Sequence, residues 1–254
     1  MKKTISCNHI IPAIVGVATL MLAANSSPAQ VVTNAFDVAS SYTGTGFTGN
    51  QGYGFGAWTL NTPGGGDYIS GDNPANFGIW NNTANSATTA ERSFNSALTV
   101  GETFAVQLML NNLDSSSTIN ALELQNSSGT VLFSYWHQGG DSNNGWYSDA
   151  AVTAGTATGF SYDYQQLDSF AFTLTSPTTY TFADLSTGAS LTGTLAGAVD
   201  EVTFLRSNES SSSPSNGQDF KFNTLEITSV PEPASVSFAA LGFSLMLAFR
   251  RRLA

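Results

Sequence analysis

Apolar and polar residues alternate over many short stretches of this chain. Phe104, Val106 and Leu108 fall on one side of an extended backbone, while Gln107 falls on the other. Successive side chains of a strand point to opposite faces, so this period of two predicts strands with one buried face. The same alternation recurs over residues 170–174, 180–182, 202–204 and 220–227.

Turn-forming residues separate these stretches. Residues 122–124 and 131–135 alternate in the same way and flank Asn-Ser-Ser-Gly at positions 126–129, which predicts a β-hairpin. Outside the two ends of the chain, no segment shows the 3.6-residue period of an amphipathic helix. The middle of the chain is therefore predicted to be all-β.

The predicted fold over residues 30–229 is an antiparallel β-sandwich of the jelly-roll or concanavalin-A-like type. We expect the last strand, near residues 220–228, to pair beside the first, near residues 35–39. An immunoglobulin-like sandwich or a β-helix would produce much of the same alternation, and both rank behind it. The chain has no internal repeat of 20–50 residues, which disfavours a solenoid.

The N-terminus departs from the strand pattern. Lys2 and Lys3 precede an apolar segment at residues 10–24, and Ser27-Pro28-Ala29 places small residues after it. This order is typical of a signal peptide spanning residues 1–29. Cys7, the single cysteine, lies within that segment, so the exported chain is predicted to have no disulfide.

The C-terminal segment, residues 230–254, contains Pro231-Glu232-Pro233 followed by an uncharged apolar run at residues 234–249. As a helix this run measures about 24 Å, somewhat short of the ~30 Å hydrocarbon core of a bilayer, a gap that snorkelling arginines and local thinning of the bilayer can close. Arg250, Arg251 and Arg252 follow it and would hold that end on the cytoplasmic side as a membrane stop. We therefore expect a C-terminal transmembrane helix.

The order of Pro-Glu-Pro, short apolar helix and arginine cluster resembles the PEP-CTERM sorting signal of Gram-negative bacteria. The resemblance implies that Pro231, Glu232 and Pro233 form a processing motif recognised by an exosortase, a membrane-embedded transpeptidase. It also implies that the tail is removed as the protein passes from the inner membrane to the cell surface or extracellular matrix. A plain anchor on an uncleaved envelope protein is the alternative.

Charge narrows the range of partners. Between residues 30 and 230, only Arg92, Arg206 and Lys221 oppose 17 acidic residues, a formal charge of −14. Nucleic acid and anionic membrane surfaces are poor partners for such a domain. Exosortase and signal peptidase are the partners expected for the terminal segments, with exopolysaccharide as the expected ligand of the domain.

Catalytic residues are sparse, and we predict that the protein is not an enzyme. His137 is the single histidine after the signal peptide, and we interpret it as a strand-end residue beside solvent. Glu123 is expected to point outward as a solvated residue without an acidic neighbour two residues away, and Asp200 and Glu201 are expected to face opposite ways. A secreted glycan-active hydrolase on a concanavalin-like sandwich remains the alternative, because it needs only two carboxylates and a cleft.

One loop combines candidate metal ligands with aromatic residues. Asp141, Asn143 and Asp149 supply the oxygen atoms that Ca²⁺ prefers, although their spacing departs from that of an EF-hand. Asx-turns explain the same residues without a metal. Trp146 and Tyr147, expected in the same polar loop, are candidate stacking surfaces for a sugar ligand.

These observations together predict a non-enzymatic exported protein of the cell surface or extracellular matrix. We expect it to be sorted by an exosortase and to bind exopolysaccharide through its sandwich, with Ca²⁺ as the one candidate cofactor.

Overall fold

The computed structural model describes residues 30–110, 113, 118–140, 145–152, 155–160, 166–208 and 219–230. These residues belong to one compact unit, Gln30–Pro231. The predicted signal peptide, the Pro-Glu-Pro motif and the predicted transmembrane helix lie outside the described residues. Within the described ranges, no helix combines the length and apolar character needed to cross a bilayer.

The described residues form fifteen strands and one short 3₁₀ helix, Ala39–Ser41. The strands are β1 (Val32–Asp37), β2 (Phe55–Asn61), β3 (Gly65–Ile69), β4 (Phe77–Asn81), β5 (Ser86–Phe94), β6 (Glu102–Met109), β7 (Thr118–Gln125), β8 (Val131–Gln138), β9 (Trp146–Ser148), β10 (Thr156–Ala157), β11 (Asp168–Ser176), β12 (Thr179–Asp184), β13 (Ser190–Thr194), β14 (Glu201–Asn208) and β15 (Phe220–Ser229).

The strands make two antiparallel sheets. Sheet A has the order β13-β12-β11-β6-β15-β4-β3, and β1 pairs with the free part of β15. Sheet B has the order β10-β9-β8-β7-β14-β5-β2. The two-sheet antiparallel sandwich expected from the alternation is therefore confirmed.

Individual predictions of strands and turns are also confirmed. The alternation from residue 104 forms β6, in which Phe104, Val106 and Leu108 are buried. The Asn-Ser-Ser-Gly turn joins β7 to β8, and Gly129 adopts the positive φ of 76° that closes it. The last strand pairs with the first, with Ala35 opposite Ile227.

Aromatic rings fill the space between the sheets. Phe204 of sheet B stacks on Phe222 of sheet A, with ring centroids 3.7 Å apart and planes 1° from parallel. At the other end of the sandwich, Phe133 of sheet B packs against Phe172 and Phe182 of sheet A. Burial of such large rings supplies the main stabilisation of a domain that has no disulfide.

One ion pair is buried with the aromatic rings. The guanidinium of Arg92, on β5, pairs with the carboxylate of Asp37, on β1, and the two side chains are fully buried. Arg92 also lies over the ring of Trp58, 4.9 Å from its centroid. Burial lowers the pKa of Arg92 to about 10, which still leaves it charged at neutral pH.

The hydroxyl of Tyr42 completes this network. It donates to Asp37 Oδ2 at 2.9 Å and accepts from Trp58 Nε1 at 3.0 Å. Arg92 Nε donates to the carbonyl of Gly56 at 3.0 Å, and its Nη2 donates to the amide oxygen of Asn50. The network joins β1 of sheet A to β2 and β5 of sheet B.

We expect Asp37→Asn to lower the free energy of unfolding by about 3–5 kcal/mol, because it leaves a buried guanidinium without a counter-charge. Chemical denaturation monitored by tryptophan fluorescence measures this loss. Asp72→Asn is the matched control, since Asp72 pairs with Lys221 at 2.8 Å on the surface. The control should cost less than about 1 kcal/mol, and equal losses in the two variants would contradict a structural role for the buried pair.

Candidate functional site

The outer face of sheet B, turned away from the sandwich core, carries the most unusual set of side chains. Every residue of β7 is buried, so both faces of this strand are covered. Its inward residues Leu122 and Leu124 belong to the main core. Its outward residues Ile119 and Ala121 belong to a second, smaller apolar cluster.

This cluster is organised by what we call the aromatic row: Leu205, Ala121, Trp136 and Trp146. They are in register across β14, β7, β8 and β9, so their side chains lie side by side. Trp136 is almost fully buried, whereas Trp146 and Leu205 are half-buried and pack against it. The aromatic row thus offers a partly exposed indole on a rigid base.

The segment after β9 folds over part of this face. Ser134 Oγ donates to the carbonyl of Ala150 at 2.6 Å. The backbone N–H of Val152 donates to the carboxylate of Glu123. Gly155 lies against the indole of Trp136, where an added Cβ would be 2.2 Å from the ring. This approach requires glycine, because any side chain would collide with the indole.

A second row runs beside the first. Thr203 of β14 is opposite Glu91 of β5 on one side and Glu123 of β7 on the other. We call Glu91, Thr203 and Glu123 the acidic row. Glu201 lies two residues from Thr203 on the same strand and therefore on the same face. Three carboxylates are thus gathered on one side of the sheet.

Burial and mutual repulsion affect the ionisation of these carboxylates. Burial raises the pKa of Glu123, which is 8% exposed, and the negative charge of Glu91 raises it further. Hydrogen bonds from Val152 and from Gln125 oppose this increase. Burial followed by repulsion from Glu91 and Asp200 also raises the pKa of Glu201. Both carboxyl groups therefore hold a proton more readily than an ordinary glutamate does.

The structure corrects two expectations about titratable residues. Glu123 is buried rather than solvated, because the segment that includes Val152 packs against it. Although no acidic residue lies two positions away in the chain, Glu91 on β5 and Glu201 on β14 share its face of the sheet. His137 is 6% exposed rather than beside solvent. It faces inward beside Asn120, which in turn accepts a hydrogen bond of 3.0 Å from Arg206. Neither residue is a solvated strand end.

The two candidate aromatic residues do not share a loop. Trp146 and Tyr147 are consecutive residues of β9 and so point to opposite faces of sheet B. Trp146 joins the outer cluster, whereas Tyr147 packs against the main core. The expectation that both residues lie in a polar loop is wrong, because they belong to a strand of sheet B. Tyr147 is half-buried against the core, so Trp146 is the candidate stacking surface on the outer face, and its role in ligand binding stays a prediction.

The candidate calcium ligands are only partly described. Asp141 and Asn143 lie outside the described residues. Asp149 accepts from the hydroxyl of Tyr180, and its second oxygen accepts from the backbone N–H of Thr194 at 3.2 Å. Among the described residues, no three His, Cys, Asp or Glu side chains are placed to hold a metal ion. Calcium at Asp141, Asn143 and Asp149 stays a prediction.

An open cleft of about 480 Å³ lies elsewhere, near the start of β6 and the end of β11. Its walls include Leu98, Val100, Leu174, Pro177 and Leu195, and it contains no titratable side chain. Acid–base chemistry therefore has no groups to use there. The outer face of sheet B is the better candidate for function.

No protein-family model matches the chain, and no curated protein matches it. The chain is, however, similar in fold to several solved structures. Galectin-Ib of Xenopus laevis is 12% identical, with 55% of this chain and 99% of the galectin covered and a TM-score of 0.35. The exoplasmic domain of VIP36 in its calcium- and mannose-bound form is 8% identical, with 67% and 82% covered and a TM-score of 0.42.

A glycoside hydrolase family protein from Mycobacterium thermorestibile is 12% identical, with 76% of this chain and 98% of that protein covered and a TM-score of 0.45. These likenesses concern the sandwich architecture. No residue of the outer face is assigned a role from them.

The acidic row leads to a prediction about pH. The folded-state pKa of Glu123 lies above its ordinary value of 4.5. The stability that the protonated carboxyl of Glu123 contributes is therefore fully present below the pKa of the unfolded state. It is lost as the pH rises through the higher pKa of the folded state. At pH 7, Glu123→Gln should raise the free energy of unfolding by about 1 kcal/mol, because glutamine keeps the acceptor oxygen without the charge.

Denaturation at pH 7 and pH 4 measures this effect, and the gain should shrink at pH 4, where the wild-type carboxyl is protonated. Glu226→Gln, on sheet A, is the control and should change stability by less than about 0.5 kcal/mol at both pH values. Destabilisation by Glu123→Gln at pH 7 would show that its carboxylate is favourably paired.

Proposed function

We propose that this chain is a non-enzymatic protein of the cell surface or extracellular matrix that binds exopolysaccharide on the outer face of sheet B. The observation that carries the proposal is the half-buried Trp146, which is in register beside Trp136 and shares the outer face of sheet B with the acidic row. A flat indole packs against the apolar face of a sugar ring, and carboxylates accept hydrogen bonds from sugar hydroxyls.

Export belongs to the same proposal. The terminal segments, residues 1–29 and 230–254, are the basis for naming signal peptidase and an exosortase as processing partners. The inner membrane is then a transient location, and the sandwich is the part that acts outside the cell. The high negative charge of residues 30–230 keeps such a domain away from nucleic acid.

A second function is favoured by one specific observation. Glu91 and Glu123 lie on one face with a single strand between them, so their backbones are roughly 9.5 Å apart. Inverting glycosidases use two carboxyl groups on either side of a water molecule, and two glutamates that flank a single strand fit that general arrangement. Thr203, however, occupies the position between the two glutamates, where a glycosidase of this kind needs space for a water molecule, so we favour binding over hydrolysis.

We expect Trp146→Ala to weaken glycan binding by about tenfold or more, since central aromatic residues carry much of the energy of a binding site. Titration of the purified protein with exopolysaccharide, with and without added calcium, measures the change. Tyr53→Ala, at an aromatic residue 54% exposed at a distance from β9, is the control and should bind normally.

Unaltered affinity in the Trp146 variant would contradict the proposed face. Shortened sugar chains after incubation with the wild-type protein, but not with Glu123→Gln, would replace the binding function with hydrolysis. Affinity that appears only with calcium would support the predicted calcium ligands.

Sorting has its own test. The surface-released protein should end near Pro231 and lack residues 234–249, because the resemblance implies removal of the tail. Mass spectrometry of the C-terminal peptide shows where the released protein ends, and a Pro231→Ala, Pro233→Ala variant should remain with the membrane fraction. A released protein that still contains residues 234–249 would contradict exosortase sorting.

A further inference from the structure

We propose that the outer face of sheet B selects a cationic glycan, a polysaccharide whose sugars carry free amino groups, and binds an ammonium group at the acidic row. The inference rests on the proposed glycan-binding function and deepens it by naming the class of ligand.

The first support is a lack of counter-charge. Between residues 30 and 230 the chain has three basic residues, and none of them lies on this face. Arg92 and Arg206 are buried on the inner side of sheet B, with Arg92 paired to Asp37 and Arg206 bonded to Asn120. Lys221 belongs to sheet A and pairs with Asp72. Within residues 30–230, therefore, no basic side chain neutralises the glutamates of the outer face.

The second support is Thr203. This residue is 2% exposed, and its hydroxyl has no hydrogen-bond partner within the part of the chain that the structure describes. A buried hydroxyl without a partner is costly, and here it lies in register between Glu91 and Glu123. A ligand ammonium at this point would give Thr203 a donor to accept from.

The chemistry of an ammonium group matches this arrangement. It has three N–H donors and no acceptor, so it suits two carboxylates and a hydroxyl that accept. Glu91 and Glu201 are half-buried and can be reached from solvent, so they are the carboxylates that meet the ammonium group first, whereas Glu123 and Thr203 are buried beside them on the same face. No three carboxylates among the described residues are close enough to hold a metal ion, which favours a charge carried by a larger ligand.

The distance to Trp146 indicates the size of the ligand. Trp146 lies two strands from Glu123 and two residues further along the sheet, roughly 12 Å away. One sugar ring cannot contact both positions, whereas an oligosaccharide can stack on Trp146 and place an amino group at the acidic row. Stacking on Trp146 therefore holds the oligosaccharide, and the carboxylates select its amino group.

The test compares three hexasaccharides of one linkage: β-1,4-linked glucosamine, N-acetylglucosamine and glucose. Titration of the purified protein should show the glucosamine hexamer binding at least tenfold more tightly than the other two at low salt. The advantage should shrink at high salt, because screening weakens exposed charge pairs. Glu91→Gln and Glu201→Gln should each reduce the advantage, whereas Glu226→Gln on sheet A should keep it.

The outcomes separate the two proposals. Equal affinity for all three hexamers, with loss of binding in Trp146→Ala, would overturn the selection of amino sugars and leave the glycan-binding face intact. An equal reduction in Glu226→Gln and Glu91→Gln would also overturn it, because the attraction would then come from the net charge. Failure of every hexamer to bind would overturn the proposed glycan-binding function itself, and the selection with it.

Discussion

The buried pair of Arg92 and Asp37 is the constraint on which the packing of this sandwich depends. A guanidinium with no access to water is tolerable only if every neighbour is in place, and here the neighbours come from both sheets. Tyr42 and Trp58 complete the hydrogen bonds, so the segment between β1 and β2 is fixed by the same charge. One electrostatic requirement thus joins the first strand to the edge of sheet B.

This arrangement leaves the inner faces of the sheets occupied. Phenylalanine rings fill most of the interior, and the polar groups there, including Arg206 and Asn120, bond to one another. Ligand binding is therefore proposed for the outer surfaces of the sheets. Sheet B is the better suited of the two, because its outer face combines an indole with carboxylates that have no counter-charge, and the segment after β9 forms one side of it.

Much of the fold could be predicted from the chain because period-two alternation reports directly which face of a strand is buried. That rule correctly gave β6, the hairpin of β7 and β8, and the pairing of β15 with β1. It did not give the burial of Glu123, because alternation assigns one face of a strand to solvent and β7 is covered on both faces. Continued from Phe133 and Tyr135, the same rule places His137 inward, where the structure has it, so the expectation of a strand-end residue beside solvent was the error there. The rule also failed at Trp146 and Tyr147, where a polar composition concealed a short strand.

The sequence by itself determined the strand pattern and the apolar runs at residues 10–24 and 234–249, because each depends on residues that are close together in the chain. It also determined the absence of cysteine from the domain and its negative charge, which depend on composition alone. The meeting of Glu91, Thr203 and Glu123 was decided only by the tertiary structure. They come from three strands whose order in the sheet is β7-β14-β5, and strand order and register are set by packing between distant segments. Local composition does not determine which strands become neighbours.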